Sequence, residues 1–178
     1  EDQIWFGGGN GTFNNPYIIE NITIDALSSG TCFEIVDSNK PFILRSCIFV
    51  ASGSNPSLDA GFKMVNVNNS KITHNQFFNN RGNGFLLISS SNNYIINNVM
   101  KDNDYKGLYA QYSESNNFSN NVFQNNIDYG AYMIYCHNSI FVNNTVDLNK
   151  EYGLWTIYCE YSLFSINSFS KNGYFGLG

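Results

Sequence analysis

At 178 residues the chain has the length of one domain with a sizeable core, and it carries 43% hydrophobic and 16% aromatic residues against only 13% charged ones. A net charge of −5 with no cluster of Lys or Arg lacks the electrostatic footprint of phosphate binding, so nucleic acid is not an expected partner. No apolar run approaches the ~18 residues of a membrane span, and asparagine, with 30 copies, is the preferred polar residue.

In chain order, residues 1–15 read as an N-terminal cap. The stretch from Gly7 to Asn15 is too rich in Gly and Asn for strand, and with Trp5 and Phe6 it is expected to close an open end. No charged-then-apolar signal segment stands there, and the start at Glu1 without a Met fits a processed, secreted protein or a trimmed chain. Residues 16–178 read as one repeating unit. NPYIIENITID, Asn15 to Asp25, alternates apolar and polar residues and forms a first, irregular coil. Phe33, Ile35, Ser38, Ile43, Ser46 and Ile48 are expected to face inward in the second coil, with Cys32 where later coils have glycine. SGSNPSLDA, Ser52 to Ala60, follows as a protruding loop that lengthens this coil.

From Gly61 the register is strict. Gly61, Gly84, Gly107, Gly130, Gly153 and Gly176 recur every 23 residues, and the first five are each followed by an Asn fourteen residues on (Asn75, Asn98, Asn121, Asn144, Asn167) and another nineteen on (Asn80, Asn103, Asn126, Asn149, Asn172). Apolar columns lie between: Phe62, Phe85, Leu108, Ala131 and Leu154; Ile72, Ile95, Phe118, Phe141 and Phe164; Phe77, Met100, Phe123, Val146 and Phe169. A 23-residue unit with these short alternating runs predicts three strands per coil and no helix. The fold expected is all-β, a right-handed parallel β-helix of about seven coils. Stacking at ~4.8 Å then places equivalent asparagines above one another, where each amide donates to and accepts from its neighbours.

NPYIIENITID, FEIVDSNKPFILRSC and the recurring pattern GLYAQYSESNNFSNNVFQNN resemble the right-handed β-helix repeat proteins that include the NosD-like group and the carbohydrate-binding and sugar-hydrolase repeats. The resemblance runs from about Gly9 to Gly178. It implies the fold and an exported protein, an extracellular or cell-surface location. It carries over no catalytic residue, because no active-site motif of the group stands in this chain.

Chemistry is expected on the outward positions of the first strand of each coil. Acids occur in only one row there, where Glu34 and Asp37 with Lys63 form the single polar constellation, weighed against a solvated strand edge. The DND of Asp102 to Asp104 lacks the Gly and distal Glu of a calcium loop, His74 and His137 fall in different columns, and no cofactor or metal site is expected. Cys136 and Cys159 share an inward corner column and are read as buried thiols rather than a disulfide. Sequons stand at Asn10, Asn21, Asn68, Asn117 and Asn143.

The unusual feature is an outward aromatic face. Tyr109, Tyr132 and Trp155 make one ladder, Tyr112, Tyr135 and Tyr158 another, with Ile157 among them. So apolar an outward surface is expected to be covered by a partner protein, another protomer or a glycan. The chain stops as a further coil begins at Gly176, which leads to the expectation of an uncapped C-terminal end and end-to-end self-association. The reading is therefore a non-catalytic structural or adhesive module; the alternative is a polysaccharide lyase, C5-epimerase or glycoside hydrolase, or a fragment of one.

Overall fold

Nearly every strand ends where a residue enters the left-handed backbone region. In the coil that starts at Gly107 these residues are Tyr112, Ser115, Asn120 and Asn125, with φ of +51°, +55°, +57° and +54°. Each is followed by an inward polar side chain, Ser113, Asn116, Asn121 and Asn126, all at most 1% exposed. Between corners run the strands Leu108–Gln111, Asn117–Ser119 and Val122–Gln124. Left-handed backbone is tolerated best by Gly, Asn and Asp. This gives the repeated Asn-Asn pairs of the sequence two jobs: in 97–98, 120–121, 125–126 and 143–144 the first Asn turns the chain and the second points inward.

The computed structural model describes residues 6–178, and in it these coils stack into three parallel sheets. The first sheet contains Phe33–Ser38, Ala60–Val67, Asn83–Ile88, Leu108–Gln111, Ala131–Ile134 and Leu154–Ile157; the second contains the Asn117–Ser119 strand, and the third the Val122–Gln124 strand. From the Ala60–Val67 strand onward pairing holds the 23-residue register, as in Leu108↔Ala131, Phe118↔Phe141 and Phe123↔Val146. Seven coils result, and among the described residues there is no helix, hence none long and apolar enough to cross a membrane.

The core is a set of columns. Phe62, Phe85, Ile72, Ile95, Phe118, Phe77 and Phe123 are fully buried, and Phe33, Phe62 and Phe85 stack along the axis with centroids 5.6 and 5.1 Å apart. Each such side chain contributes about 1.5–3 kcal/mol by leaving water. The polar columns close between them. Asn98 Nδ2 donates to Asn121 Oδ1 at 3.2 Å and to the Ile72 carbonyl at 2.9 Å, and Asn121 repeats the pattern onto Asn144 and Ile95. A third inward polar column, Ser70, Asn93, Asn116, Ser139 and Ser162, escaped the sequence reading because it mixes Ser with Asn.

The glycine column answers to the same packing. A Cβ on Gly107 would lie 2.6 Å from the Gly130 carbonyl oxygen and 2.8 Å from Asn126 Nδ2, closer than atoms approach. Only a residue without a side chain lets the ladder amide sit there.

Three expectations need correction. Leu44, Cys47 and Phe49, not Ile43, Ser46 and Ile48, point inward in the second coil, since Leu44 pairs with Ile72 and Phe49 with Phe77. The cause is one extra residue at the Asn39–Pro41 corner, which flips every later side chain of that coil to the other face. The loop also begins later and ends earlier than expected: Ser52 is buried in the Asn80 column with its N–H on Asn80 Oδ1, and Ala60 opens a strand. Finally, Phe6–Gly8 is strand, antiparallel to Tyr17–Glu20 on the outer edge of the second sheet, despite its glycines. Trp5 lies outside the described residues.

Candidate functional site

Two, four and five residues past the glycine column, side chains leave the core for the outward face of the first sheet. At the second position Glu34, Lys63, Leu86, Tyr109, Tyr132 and Trp155 stand in one row. The row is less open than expected. Leu86 is fully buried, flanked in register by the longer Lys63 and Tyr109, and Tyr109, Tyr132 and Trp155 are only partly exposed, as is Ile157 at the fourth position.

The charged groups of this face are paired. Lys63 Nζ lies 2.8 Å from Glu34 Oε1, and Asp37 Oδ1 accepts from Asn66 Nδ2 at 2.8 Å, so each carboxylate is held by the next coil. Farther along, Lys106 Nζ donates to Asp128 Oδ2 at 2.6 Å and sits 5.4 to 5.6 Å from the ring centroids of Tyr109, Tyr129 and Tyr132. This caged ammonium was not singled out from sequence, because Lys106 precedes the glycine column and its partner belongs to the next coil. Burial pushes the phenols of Tyr109, Tyr129 and Tyr132 above their ordinary pKa, with the Asp128 carboxylate adding to the effect on Tyr129 and Tyr132.

At the fifth position the aromatic surface is open. Tyr112, Tyr135 and Tyr158 are 54%, 37% and 61% exposed and stack with centroids 5.1 and 5.0 Å apart and planes within 9°. The rings therefore turn much of their faces toward each other, and what the row offers outward is ring edges and hydroxyls repeating once per coil. These tyrosines occupy the left-handed corner, with φ from +51° to +53°, where the preceding coils carry Asp37, Asn66 and Ser89. A bulky residue there costs about 1–2 kcal/mol, which ring stacking of about 0.5–1.5 kcal/mol per pair does no more than offset. Stability alone gives no reason to prefer Tyr over Asn.

Elsewhere, the remaining candidates have structural employment. Asn103 of the DND turn is a buried rung, and Asp102 Oδ1 accepts from Asn125 Nδ2 at 2.6 Å. His74 Nδ1 meets Thr73 Oγ1 at 2.9 Å, while His137 Nδ1 accepts the Glu160 N–H at 3.2 Å. No group of three His, Cys, Asp or Glu among the described residues is placed to hold a metal ion. Cys136 and Cys159 are free thiols stacked in one column. Of the sequon residues, Asn68 accepts the Ser91 N–H at 2.7 Å and Asn143 donates to Asn120 Oδ1 at 2.6 Å.

The profile of the right-handed β-helix region matches residues 4–169. The chain belongs to the right-handed β-helix family. A search of curated proteins finds no match. Among solved structures it resembles the A-module of the Azotobacter vinelandii mannuronan C-5 epimerase AlgE4, with a TM-score of 0.72, 12% identity and coverage of 92% of this chain and 55% of that one. The AlgE6 A-module from the same organism gives a TM-score of 0.58 at 13% identity, with 88% of this chain and 54% of that one covered. The chain thus spans about half the length of these structures, and at such identity the likeness is one of fold.

Proposed function

We propose that this β-helix is a binding module, working outside the cell or at its surface, that holds a polysaccharide along the outward face of its first sheet. The observation that carries this reading is the exposed ladder Tyr112, Tyr135 and Tyr158, kept in left-handed corners where Asn, Asp or Ser would cost less. A ligand that repeats along its length fits a row of phenols whose rings repeat at 5.0–5.1 Å. The pairing of Lys63 with Glu34 and Lys106 with Asp128 supports a neutral polysaccharide over a polyanionic one, since both ammonium groups are already compensated. Likeness of fold to polysaccharide-epimerase modules supports the ligand class.

Affinity electrophoresis through gels containing neutral glucans, mannans or xylans tests it. The triple substitution Tyr112→Asn, Tyr135→Asn, Tyr158→Asn suits the backbone and should leave the melting temperature unchanged or higher while markedly reducing retardation. Retardation in the triple variant equal to that of the parent, or its absence from the parent on all these gels, refutes the proposal.

The enzymatic reading, a lyase, C5-epimerase or glycoside hydrolase, draws support from Lys106 and Asp128 beside three phenols and from the same fold likeness. Incubation with mannuronan and with neutral polysaccharides, followed by proton NMR of the anomeric region, separates the two: new anomeric signals that vanish in Lys106→Met would establish catalysis.

A further inference from the structure

A second site lies on the other side of the coil, and its case is independent of the first-sheet reading. On the outward face of the second sheet, Lys71, Tyr94, Asn117, Ile140 and Leu163 stand in one row, in register along the axis. Tyr94 is 55% exposed and Ile140 37%. Between them the much shorter Asn117 leaves a rung out, and a hollow of about 150 Å³ opens there, lined by Tyr94, Asn117, Ile140, Asn92 and Asn138 among others. Asn117 Oδ1 exposes almost no surface and has no hydrogen-bond partner, one of two such side-chain atoms among the described residues, so a small turn of the amide is what brings it to a donor in the hollow. An orphaned buried acceptor costs about 1–3 kcal/mol, a loss that a bound donor would remove.

The dimensions specify the occupant. Tyr94 and Ile140 are two strand spacings apart, about 9.6 Å at ~4.8 Å each, so one ring can stand between them as one side chain stands between its neighbours in a ladder. The tyrosine ladder of the first sheet, stacked at 5.0–5.1 Å, shows that a flat ring fits this rise. Walls of one aromatic and one aliphatic side chain suit the C–H faces of a saturated ring, and a floor and rim of amides suit its hydroxyls. No charged side chain lines the hollow. On its far side Tyr94 borders a second hollow, of about 160 Å³, formed with Pro16, Pro41, Phe42 and Lys71, so the phenol ring stands as a partition between two adjacent spaces.

We infer that this hollow is a subsite for one neutral pyranose residue, stacked between Tyr94 and Ile140 with a hydroxyl donating to Asn117 Oδ1, and that the adjoining hollow accepts the next residue of the same oligosaccharide. The second sheet therefore carries a short saccharide-binding groove of its own.

The test uses the whole chain in the Tyr112→Asn, Tyr135→Asn, Tyr158→Asn background, which removes the first-sheet ladder as a source of binding, expressed in a bacterial host so that the sequon Asn117-Phe118-Ser119 stays unmodified. Saturation-transfer NMR with cellotetraose, mannotetraose, maltotetraose and chitotetraose at millimolar concentration should show transfer to at least one. Asn117→Phe fills the missing rung and should abolish that transfer with the fold intact, because the new ring continues the row. Asn117→Ala leaves the hollow but removes the acceptor, and should weaken binding about tenfold. The inference is overturned if none of the four sugars receives saturation from this background, or if transfer survives Asn117→Phe in it. Adenosine binding in the hollow in preference to all four sugars would equally overturn the assignment to a pyranose.

Discussion

Replacing Asn121 by Leu tests the asparagine ladder at its middle. The Asn121 amide makes four bonds: Oδ1 accepts from Asn98 N at 2.9 Å and Asn98 Nδ2 at 3.2 Å, and Nδ2 donates to the Ile95 carbonyl at 2.7 Å and Asn144 Oδ1 at 3.2 Å. Asn98 Nδ2 keeps the carbonyls of Ile72 and Ile96, but the Asn98 backbone N–H loses its acceptor in a site sealed from water. That orphan costs about 1–3 kcal/mol, and the lost bonds to Ile95 and Asn144 about 1 kcal/mol each. Burial of the leucine side chain returns roughly 2 kcal/mol. The net loss is therefore about 1–3 kcal/mol, which for a chain of this size lowers the melting temperature by about 3–10 °C. Circular-dichroism melts read the global effect, and hydrogen exchange reads the local one: the Asn98 amide should exchange markedly faster than its neighbours. A melting temperature equal to that of the parent, with Asn98 still protected, would refute the ladder as a source of stability.

Gly107→Ala should lower the denaturation midpoint by the equivalent of about 1–3 kcal/mol, because its Cβ must push aside the Gly130 carbonyl and the Asn126 amide; an unchanged midpoint would mean the coils spread freely. Cys47 stands at the foot of the Asn75 column, with Sγ 3.9 Å from the Ile19 carbonyl and its N–H on Asn75 Oδ1. Cys47→Asn should extend the ladder by one rung and raise the melting temperature by a few degrees, and a clear fall would show that the first coil cannot accept an amide. The thiols differ in reactivity. Burial raises Cys32 to about 11 and Cys47 above its ordinary value, and Cys136 is raised as its S–H donates to Cys159, which lowers Cys159. Because the thiolate is the nucleophile, iodoacetamide near neutral pH should label the half-buried Cys159 first and faster as pH rises, leaving the other three until unfolding. Peptide mapping that finds Cys32 or Cys47 labelled first would contradict this order.

Much of the architecture was legible because a solenoid writes its geometry into a fixed period. Once Gly61, Gly84 and Gly107 set the step, the apolar columns and both asparagine columns from Phe62 onward followed, and Ile72, Asn98 and Phe123 fell where expected. The second coil failed at one corner. No residue type marks the extra residue between Ser38 and Phe42, and a period of two in the strand turned that single insertion into a wholesale exchange of inward and outward side chains. The left-handed corners were hidden for another reason: Asn served both as turn residue and as rung, so one composition signal masked two roles.

The site was less legible than the fold. Sequence placed Tyr109, Tyr132 and Trp155 beside Tyr112, Tyr135 and Tyr158 as equals, yet the first row is half covered and the second open, a difference set by backbone direction at the corner. It named Glu34, Asp37 and Lys63 as a constellation but not that Lys63 takes up Glu34 and Asn66 takes up Asp37. The cage around Lys106 and the missing rung at Asn117 join residues of different coils and different column positions, so neither follows from any one column. Periodicity by itself determined the coil, its three sheets and its inward ladders, because identical positions must stack. What only the tertiary structure decided is which side chains that stacking leaves without a neighbour, since an unfilled contact is a property of the space between coils and no single residue encodes it.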